Sequence, residues 1–322
     1  MRVGCEVDVE RVAWHQPVMG SEVLQALRPT AGSIVVDGTV GTGGHSLMIL
    51  PHLLPSGRLI AVDRDRDALA LARTRLTEFE PQATFLHGNY RDLPTLLEPL
   101  GLARVDGILL DLGMSSVQVD RAERGFSFSR EGPLDMRMDA AQETMAETLV
   151  NTLSADELAL LLETLGEERF ARRIARRIVE ARRADPLTTT TQLARVVADA
   201  VPAGARHGRL HPATRTFQAL RLAVNDELGA LAAFLERVGE LLNPGGRAVL
   251  LTFHSLEDRL VKRAFAEGMR AQAWTVLTKK PARPSEDEVS RNPRARSAKL
   301  RAIERSHSVW RNPERGAAES RA

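Results

Sequence analysis

Ser33-Ile-Val-Val-Asp37-Gly-Thr39-Val-Gly41-Thr-Gly43-Gly44-His45-Ser46 is the stretch on which the reading of this 322-residue chain turns. A β-branched apolar run ends in Asp37 and breaks into glycines. Helical spacing begins near Ser46 and Leu47. That order predicts a parallel β-strand, a tight loop and a helix N-terminus. Glycines let a backbone turn sharply and approach a ligand, and the first helical turn presents N–H groups without intrahelical partners.

Two cofactor classes use such a loop. Dinucleotide sites carry G-x-G-x-x-G; Gly41 and Gly43 fit, but the third position is Ser46. The version for S-adenosylmethionine has an acid at the strand end and closely spaced glycines, which Asp37, Gly41, Gly43 and Gly44 match better. Such a loop cradles the amino-acid part of the cofactor, whose ammonium group suits an acid such as Asp37. A glycine-rich turn with no ligand is the plain alternative. Arg58-Leu-Ile-Ala-Val-Asp63 is a second buried strand ending in an acid, 20 residues past Gly43. A carboxylate there can accept from both ribose hydroxyls. Helix capping is the other role open to Asp63, although Arg64-Asp65-Arg66-Asp67 already offers caps.

Further along, Ala83–His87 reads as a third strand running into Gly88-Asn89-Tyr90-Arg-Asp92. Tyr90, the only tyrosine in the chain, is placed to stack on an adenine, with Asn89 or Asp92 at the ring edge; a rim position of the core is the alternative. Val105–Asp111 is a fourth buried strand. Strand and helix thus alternate from 33 to 111, the pattern of a doubly wound parallel sheet with right-handed crossovers. Ligands bind outside the carboxyl ends of such strands, and Asp37, Asp63, Tyr90 and Asp111 share that edge.

The alternation then stops. Residues 120–139 read as a loop holding Phe126 and Phe128, either hydrophobic anchors or a wall for a nucleobase. Helical patterns follow to about 232, with one helix expected from about Thr216 to Leu242. Asn243–Gly246 reads as a turn, Arg247–Phe253 as strand five, Leu256–Ala266 as a helix and Ala298–Glu304 as a late edge strand. The expected organisation is a catalytic domain in two parts, 1–117 and 216–311, a helical insertion at 118–215, and a disordered tail at 312–322. Residues 1–13 read as a loose lead-in, and His15 as a capping, packing or functional position.

Net charge is only +2, from 44 basic and 42 acidic residues. It is unevenly placed: residues 167–183 hold seven Arg against three Glu, and 279–311 hold ten basic against four acidic side chains. Local positive patches on a near-neutral chain fit a polyanionic partner. The single cysteine, Cys5, excludes an internal disulfide framework and fits a reducing compartment. No apolar run approaches membrane-spanning length and no signal-peptide core is present, so a soluble cytoplasmic protein is expected. Scattered histidines and one cysteine give no metal cluster. No nucleophilic triad is apparent, and methyl transfer from a sulfonium needs none, since it requires mainly alignment of donor and acceptor. Methylation of DNA or protein, and RNA binding without catalysis, remain open on these residues alone.

The stretch 37–46, together with Asp111-Leu-Gly-Met-Ser-Ser116, Glu123-Arg-Gly-Phe-Ser-Phe128, Gly132-Pro-Leu-Asp-Met-Arg-Met-Asp139, Gly166-Glu-Glu-Arg-Phe170, His211-Pro-Ala-Thr-Arg-Thr-Phe-Gln218, Phe253-His-Ser-Leu-Glu-Asp-Arg259 and Asn292-Pro-Arg-Ala-Arg-Ser297, closely resembles the RsmH (MraW) family, in order from about His15 to Glu304. The resemblance implies a Rossmann-like α/β S-adenosylmethionine-dependent methyltransferase with an inserted helical subdomain for substrate recognition. It implies methylation of the N4 amine of a cytidine in the decoding region of small-subunit (16S) ribosomal RNA. The implied cofactor residues are Gly43, Gly44, His45, Asp63, Tyr90, Asp111 and Gln118. Tyr90 stands where the family usually has Phe, and Met19 where it usually has Leu. The Asp/Asn-Pro-Pro-aromatic motif of many amino-methyltransferases is replaced by Asp111-Leu-Gly-Met, which keeps the carboxylate and lacks the aromatic clamp. Asp111 with Phe126 or Phe128 is therefore the expected catalytic set, and Asp135, Asp139 and His254 are candidate proton acceptors. The expected partner is small-subunit ribosomal RNA in an assembled or nearly assembled 30S particle, with no membrane and with a homodimer allowed.

Overall fold

The computed structural model describes residues 16–206 and 211–307. The expectations for the lead-in, for His15 and for the tail lie outside the described residues. In chain order the elements are α1 (Gly20–Leu27), β1 (Ile34–Asp37), α2 (Gly44–Leu53), β2 (Arg58–Asp63), α3 (Arg66–Arg75), β3 (Ala83–His87), α4 (Leu93–Leu97) and β4 (Val105–Asp111). Next come α5 (Ser116–Asp120), α6 (Ala146–Thr152), α7 (Ala155–Gly166), α8 (Ala171–Ala181), α9 (Thr190–Ala200), α10 (Ala203–Arg206) and α11 (Thr214–Asn225). The chain finishes with α12 (Glu227–Leu241), β5 (Leu242–Thr252), α13 (Ser255–Arg270), β6 (Trp274–Val276), α14 (Glu286–Arg291) and β7 (Lys299–Arg305).

Two compact units result: Met1–Gly113 with Ala230–Ala322, and Met114–Gly229. The first is built on a seven-stranded sheet in the order β3-β2-β1-β4-β5-β7-β6. Strands β1 to β5 run parallel, while β7 is antiparallel to β5 and β6 to β7. Successive side chains of a strand point to opposite faces, and both faces here are apolar. Val35, Leu59, Ala61, Leu109, Val249 and Leu251 pack with Val23, Leu27, Ile49 and Leu53 from α1 and α2. Val36, Ile60, Val62, Ile108, Leu110 and Leu250 pack with Phe234 and Phe265 from α12 and α13. A parallel sheet covered on both sides explains why the strands read as continuous apolar runs.

Two local expectations are corrected here. Residues Lys299–Arg305 are not an edge strand: they lie between β5 and β6, the short edge strand that the pattern did not reveal. The Asn243–Gly246 turn is absorbed into β5, where the register jumps from Val105↔Leu242 to Gly107↔Arg247, so that the extra residues loop out.

The second unit is helical. Ala171, Ile174, Ala175 and Ile178 of α8 are buried with Leu158 and Leu162 of α7, Leu193 and Val197 of α9, and Phe217, Leu220 and Val224 of α11. The compact units meet at 113/114 and 229/230, against the expected domain boundaries at 117/118 and 215/216. The long helix expected over 216–242 breaks at Asp226, which adopts a left-handed conformation with φ 45°. Apolar periodicity continues through that break, so composition alone hides it. Asp is one of the few non-glycine residues that enter this region readily. Across the break, Arg221 donates to both oxygens of Glu227, at 2.8 and 3.0 Å, with both side chains no more than 10% exposed.

Removing one partner of a buried pair leaves the other charge uncompensated. Glu227→Ala is expected to lower stability by about 3 kcal/mol or more, while Arg221→Met with Glu227→Leu recovers most of the loss; thermal and urea unfolding measure both.

Candidate cofactor and active site

The strand order reverses between β1 and β4, the point at the carboxyl edge where open α/β sheets bind their ligands. The loop after β1 is held at that edge from several sides. Asp63, ending β2, accepts the Gly41 N–H at 2.8 Å with one oxygen and the Asp65 N–H at 2.8 Å with the other. The Asp111 N–H, ending β4, donates to Thr39 Oγ1 at 2.6 Å. Asp37 accepts the Thr39 N–H at 3.3 Å and the Ser46 hydroxyl at 2.7 Å. Gly41 and Gly43 sit at φ 53° and 81°, left-handed values that favour glycine. Gly43 is the residue before α2 and provides no side-chain cap, so the first-turn N–H groups from Gly44 onward stay open to a ligand.

Ser46 explains the missing third glycine: its hydroxyl ties the start of α2 to Asp37. Asp37 is 1% exposed, and each of its oxygens accepts a hydrogen bond from the loop or the start of α2, so it positions the loop. Asp63 is free of capping, because Asp65 takes that duty by accepting the Asp67 and Ala68 N–H groups. Each carboxylate oxygen of Asp63 accepts one hydrogen bond and has a second lone pair for a ribose hydroxyl. Tyr90 is half-buried in a short 3-10 turn and meets Phe234 edge-on, with centroids 6.0 Å apart at 87°. Asn89 Oδ1 accepts the Arg91 N–H at 3.1 Å within that turn, while Asp92 is exposed.

His45 is 7% exposed and its Nε2 lies 2.9 Å from the Val18 carbonyl. A carbonyl only accepts, so Nε2 carries the hydrogen and Nδ1 presents a lone pair. Nδ1 lies 3.6 Å from Asp111 Oδ2. Burial lowers the His45 pKa, which keeps the ring neutral. Two acceptors face each other, and a group bearing N–H donors, such as an ammonium, satisfies both. Asp111 Oδ1 is buried with no hydrogen-bond partner. The orphaned oxygen, the facing acceptors and the open lone pairs of Asp63 fit S-adenosylmethionine, which presents an ammonium, a sulfonium and a ribose diol.

Burial pushes the carboxyls of Asp37 and Asp63 up to about 6. Burial, with the negative charge of Glu257, pushes Asp111 up to about 7. Glu257 was missed in the sequence. It is 2% exposed at the start of α13 and accepts the Phe253 N–H at 2.8 Å, while His254 Nδ1 receives the Glu257 N–H at 3.5 Å. The spacing His254-Ser-Leu-Glu257 is that of a capping box, which was the available signal. His254 Nε2 is 3.0 Å from Glu257 Oε1 but off the line of a hydrogen bond, so it lacks an aligned partner.

Gln118, Phe126 and Phe128 belong to the helical unit. Gln118 is buried, and its Oε1 accepts the Ser115 N–H at 3.0 Å in a capping box. Phe126 is buried in the helical core, where apolar neighbours cover its ring. Phe128 is half-buried, with its ring 4.7 Å from His211 and 4.9 Å from Phe217. Asp135 is held bidentately by Arg137 at 2.7 and 2.8 Å. Burial opposes its ionisation, but the Arg137 bonds prevail and hold its pKa below the ordinary value, which makes it a poor proton acceptor.

The fold and these residues define an S-adenosylmethionine-dependent methyltransferase of the α/β class. The chain belongs to the MraW methylase family, whose pattern matches residues 12–306. It is 50% identical over 306 residues to the ribosomal RNA small subunit methyltransferase H of Syntrophotalea carbinolica, covering 90% of this chain and 98% of the relative. It is 48% identical over 307 residues to the protein of the same name from Anaeromyxobacter dehalogenans, covering 90% and 97%. For the one from Nitratidesulfovibrio vulgaris the identity is 49% over 309 residues, covering 90% and 85%.

Two expectations follow. Asp63→Ala removes the anchor of Gly41 and the lone pairs open to a ribose, and is expected to weaken S-adenosylhomocysteine binding roughly 100-fold in calorimetry. The three raised carboxyls bind protons in the folded state that the unfolded chain releases. Their contribution to stability is full below about pH 4 and is lost as pH rises through about 6 to 7. A cationic cofactor favours the ionised acids, so its binding is expected to strengthen from pH 6 to pH 8 with release of protons, and Asp111→Asn to flatten the upper part of that rise.

Proposed function

We propose that the chain transfers the methyl group of S-adenosylmethionine to N4 of one cytidine in the decoding region of small-subunit ribosomal RNA, within a nearly assembled 30S particle in the bacterial cytoplasm. The observation that carries this reading is near-50% identity along 90% of the chain to small-subunit ribosomal RNA methyltransferases, with Asp63, Asp111 and the glycine loop intact.

The bound cofactor supplies an electrophilic methyl group on a sulfonium. The exocyclic N4 of cytosine is a poor nucleophile, because its lone pair is delocalised into the ring. Asp111 accepts an N4 hydrogen through the unpartnered Oδ1 and turns the lone pair out of the ring plane, towards the methyl group. The amine must lose a proton on transfer. Asp135 is engaged by Arg137, and Asp139 Oδ1 accepts the Ala141 N–H at 2.9 Å. Asp111, whose carboxyl burial and Glu257 raise to about 7 in the unliganded protein, is the better-matched acceptor. His254 flanks it at the end of β5, next to the Leu251↔Asp111 register pair. Gly43, Gly44 and the His45–Asp111 acceptors would hold the methionine part of the cofactor, Asp63 the ribose, and Tyr90 and Asp92 the adenine. A base inside structured RNA must also be unstacked to reach the site.

Methyl transfer from labelled cofactor to small subunits lacking the modification, followed by nuclease digestion and mass spectrometry, tests the reading. N4-methylcytidine at one site is expected; label in another base or at several sites overturns it. Asp111→Asn is expected to lower turnover at least about 100-fold, and a loss under about threefold removes Asp111 from the proton path. Phe128→Ala is expected to lower turnover with cofactor binding intact, whereas Phe126→Ala is expected to destabilise the helical unit.

A further inference from the structure

Helix α8 has two unlike sides. Ala171, Ile174, Ala175 and Ile178 face the helical core. The opposite side carries Arg172, Arg173, Arg176 and Arg177, with Arg169 just before the helix and Arg183 just after it, all exposed. At 3.6 residues per turn these six positions fall within an arc of about 140°. The arc contains one acid, Glu180, which pairs with Arg177 at 2.9 Å. Arg169 lies over the Phe170 ring, 4.6 Å from its centroid. The guanidinium groups of Arg172, Arg173, Arg176 and Arg183 have no hydrogen-bonded or ionic partner among the described residues. Asp156 and Glu163 of α7 border a cleft with Arg172 and Arg176 but form no ion pair with them.

A face that serves only solubility mixes both signs of charge, and like charges three or four residues apart repel. Four unpartnered arginines in one arc therefore oppose helix stability and ask for a ligand that compensates them. The guanidinium fork matches phosphate oxygens in geometry and charge. The arc carries no exposed aromatic ring, since Phe170 is half-buried beneath Arg169. Proteins that hold single strands stack bases on aromatic side chains, whereas double-stranded RNA is held through its shape and its phosphates.

We propose that the arginine arc of α8 is a docking surface for the phosphate backbone of a double-helical segment of the substrate RNA. The identity of the polyanion rests on the function proposed above; the surface, its residues and its preference for duplex are additional to it.

The test uses the full-length protein with Arg172, Arg173, Arg176 and Arg183 all changed to Gln, and a second variant with all four changed to Lys. The probes are an RNA duplex of arbitrary sequence and a uridine-only single strand. The Gln variant is expected to lose duplex affinity at least tenfold and to reduce the salt slope by about one per arginine. The Lys variant is expected to keep most of both. All forms should bind S-adenosylhomocysteine alike, the Lys variant should melt with the wild type, and the Gln variant should melt no lower, since it loses the repulsion between like charges. With small subunits as substrate, KM rises for the Gln variant and kcat is retained. Duplex affinity and salt slope equal to wild type overturn the proposal, and a loss confined to the single strand overturns the duplex assignment. A wild-type protein that binds duplex through the arc and yet methylates no small subunit counts against the proposed function alone.

Discussion

The loop from Gly38 to Ser46 is held from three strand ends at once. Asp63 fixes the Gly41 amide, the Asp111 amide fixes Thr39, and Asp37 fixes both Thr39 and Ser46. A loop rich in glycine has high conformational entropy, and buried backbone N–H groups need partners. Strand-end groups meet both demands, because a parallel sheet brings the ends of β1, β2 and β4 to one edge. The remainder of the catalytic unit serves this arrangement. Two apolar layers hold the strands in register, and the switch in strand order lies where the loop does.

The arrangement has an electrostatic consequence. Asp37, Asp63 and Asp111 are acids whose surroundings favour the protonated form. Burial disfavours their charge, and near Asp111 the buried Glu257 adds to the effect. The unliganded site is therefore held away from the protonation state that suits a cation. A ligand bearing a sulfonium and an ammonium restores the balance, so the energy lost in burying acids reappears as affinity for a positively charged cofactor. The same imbalance keeps one carboxylate near neutrality, where it can exchange protons with an amine.

Much of this is legible in the residues. Apolar runs ending in acids mark β1, β2 and β4, and the alternation of strand and helix marks the doubly wound half. The basic face of α8 and the cap before α7 are equally local signals, arising from helical spacing and side-chain reach. Other features escape because their cause is not local. The break at Asp226 lies within unbroken apolar periodicity, and only a left-handed residue and the Arg221–Glu227 pair mark it. Strand β6 is three residues long, too short to carry a pattern of its own. Phe126 and Phe128 look alike in sequence, yet one is buried in the helical core and the other is half-buried against His211 and Phe217.

The division follows from the range of the forces involved. The sequence by itself determined the parallel strands, the glycine loop, the helical character of the insertion and the acids at the sheet edge, because backbone conformation and the pattern of burial depend on near neighbours along the chain. Tertiary structure alone decided which acid positions the loop and which faces a ligand. Asp37 and Asp111 end similar strands; Asp37 meets Ser46 and is sealed, whereas Asp111 keeps one oxygen without a partner. That difference depends on groups far apart in the chain and close in space, which no local pattern encodes.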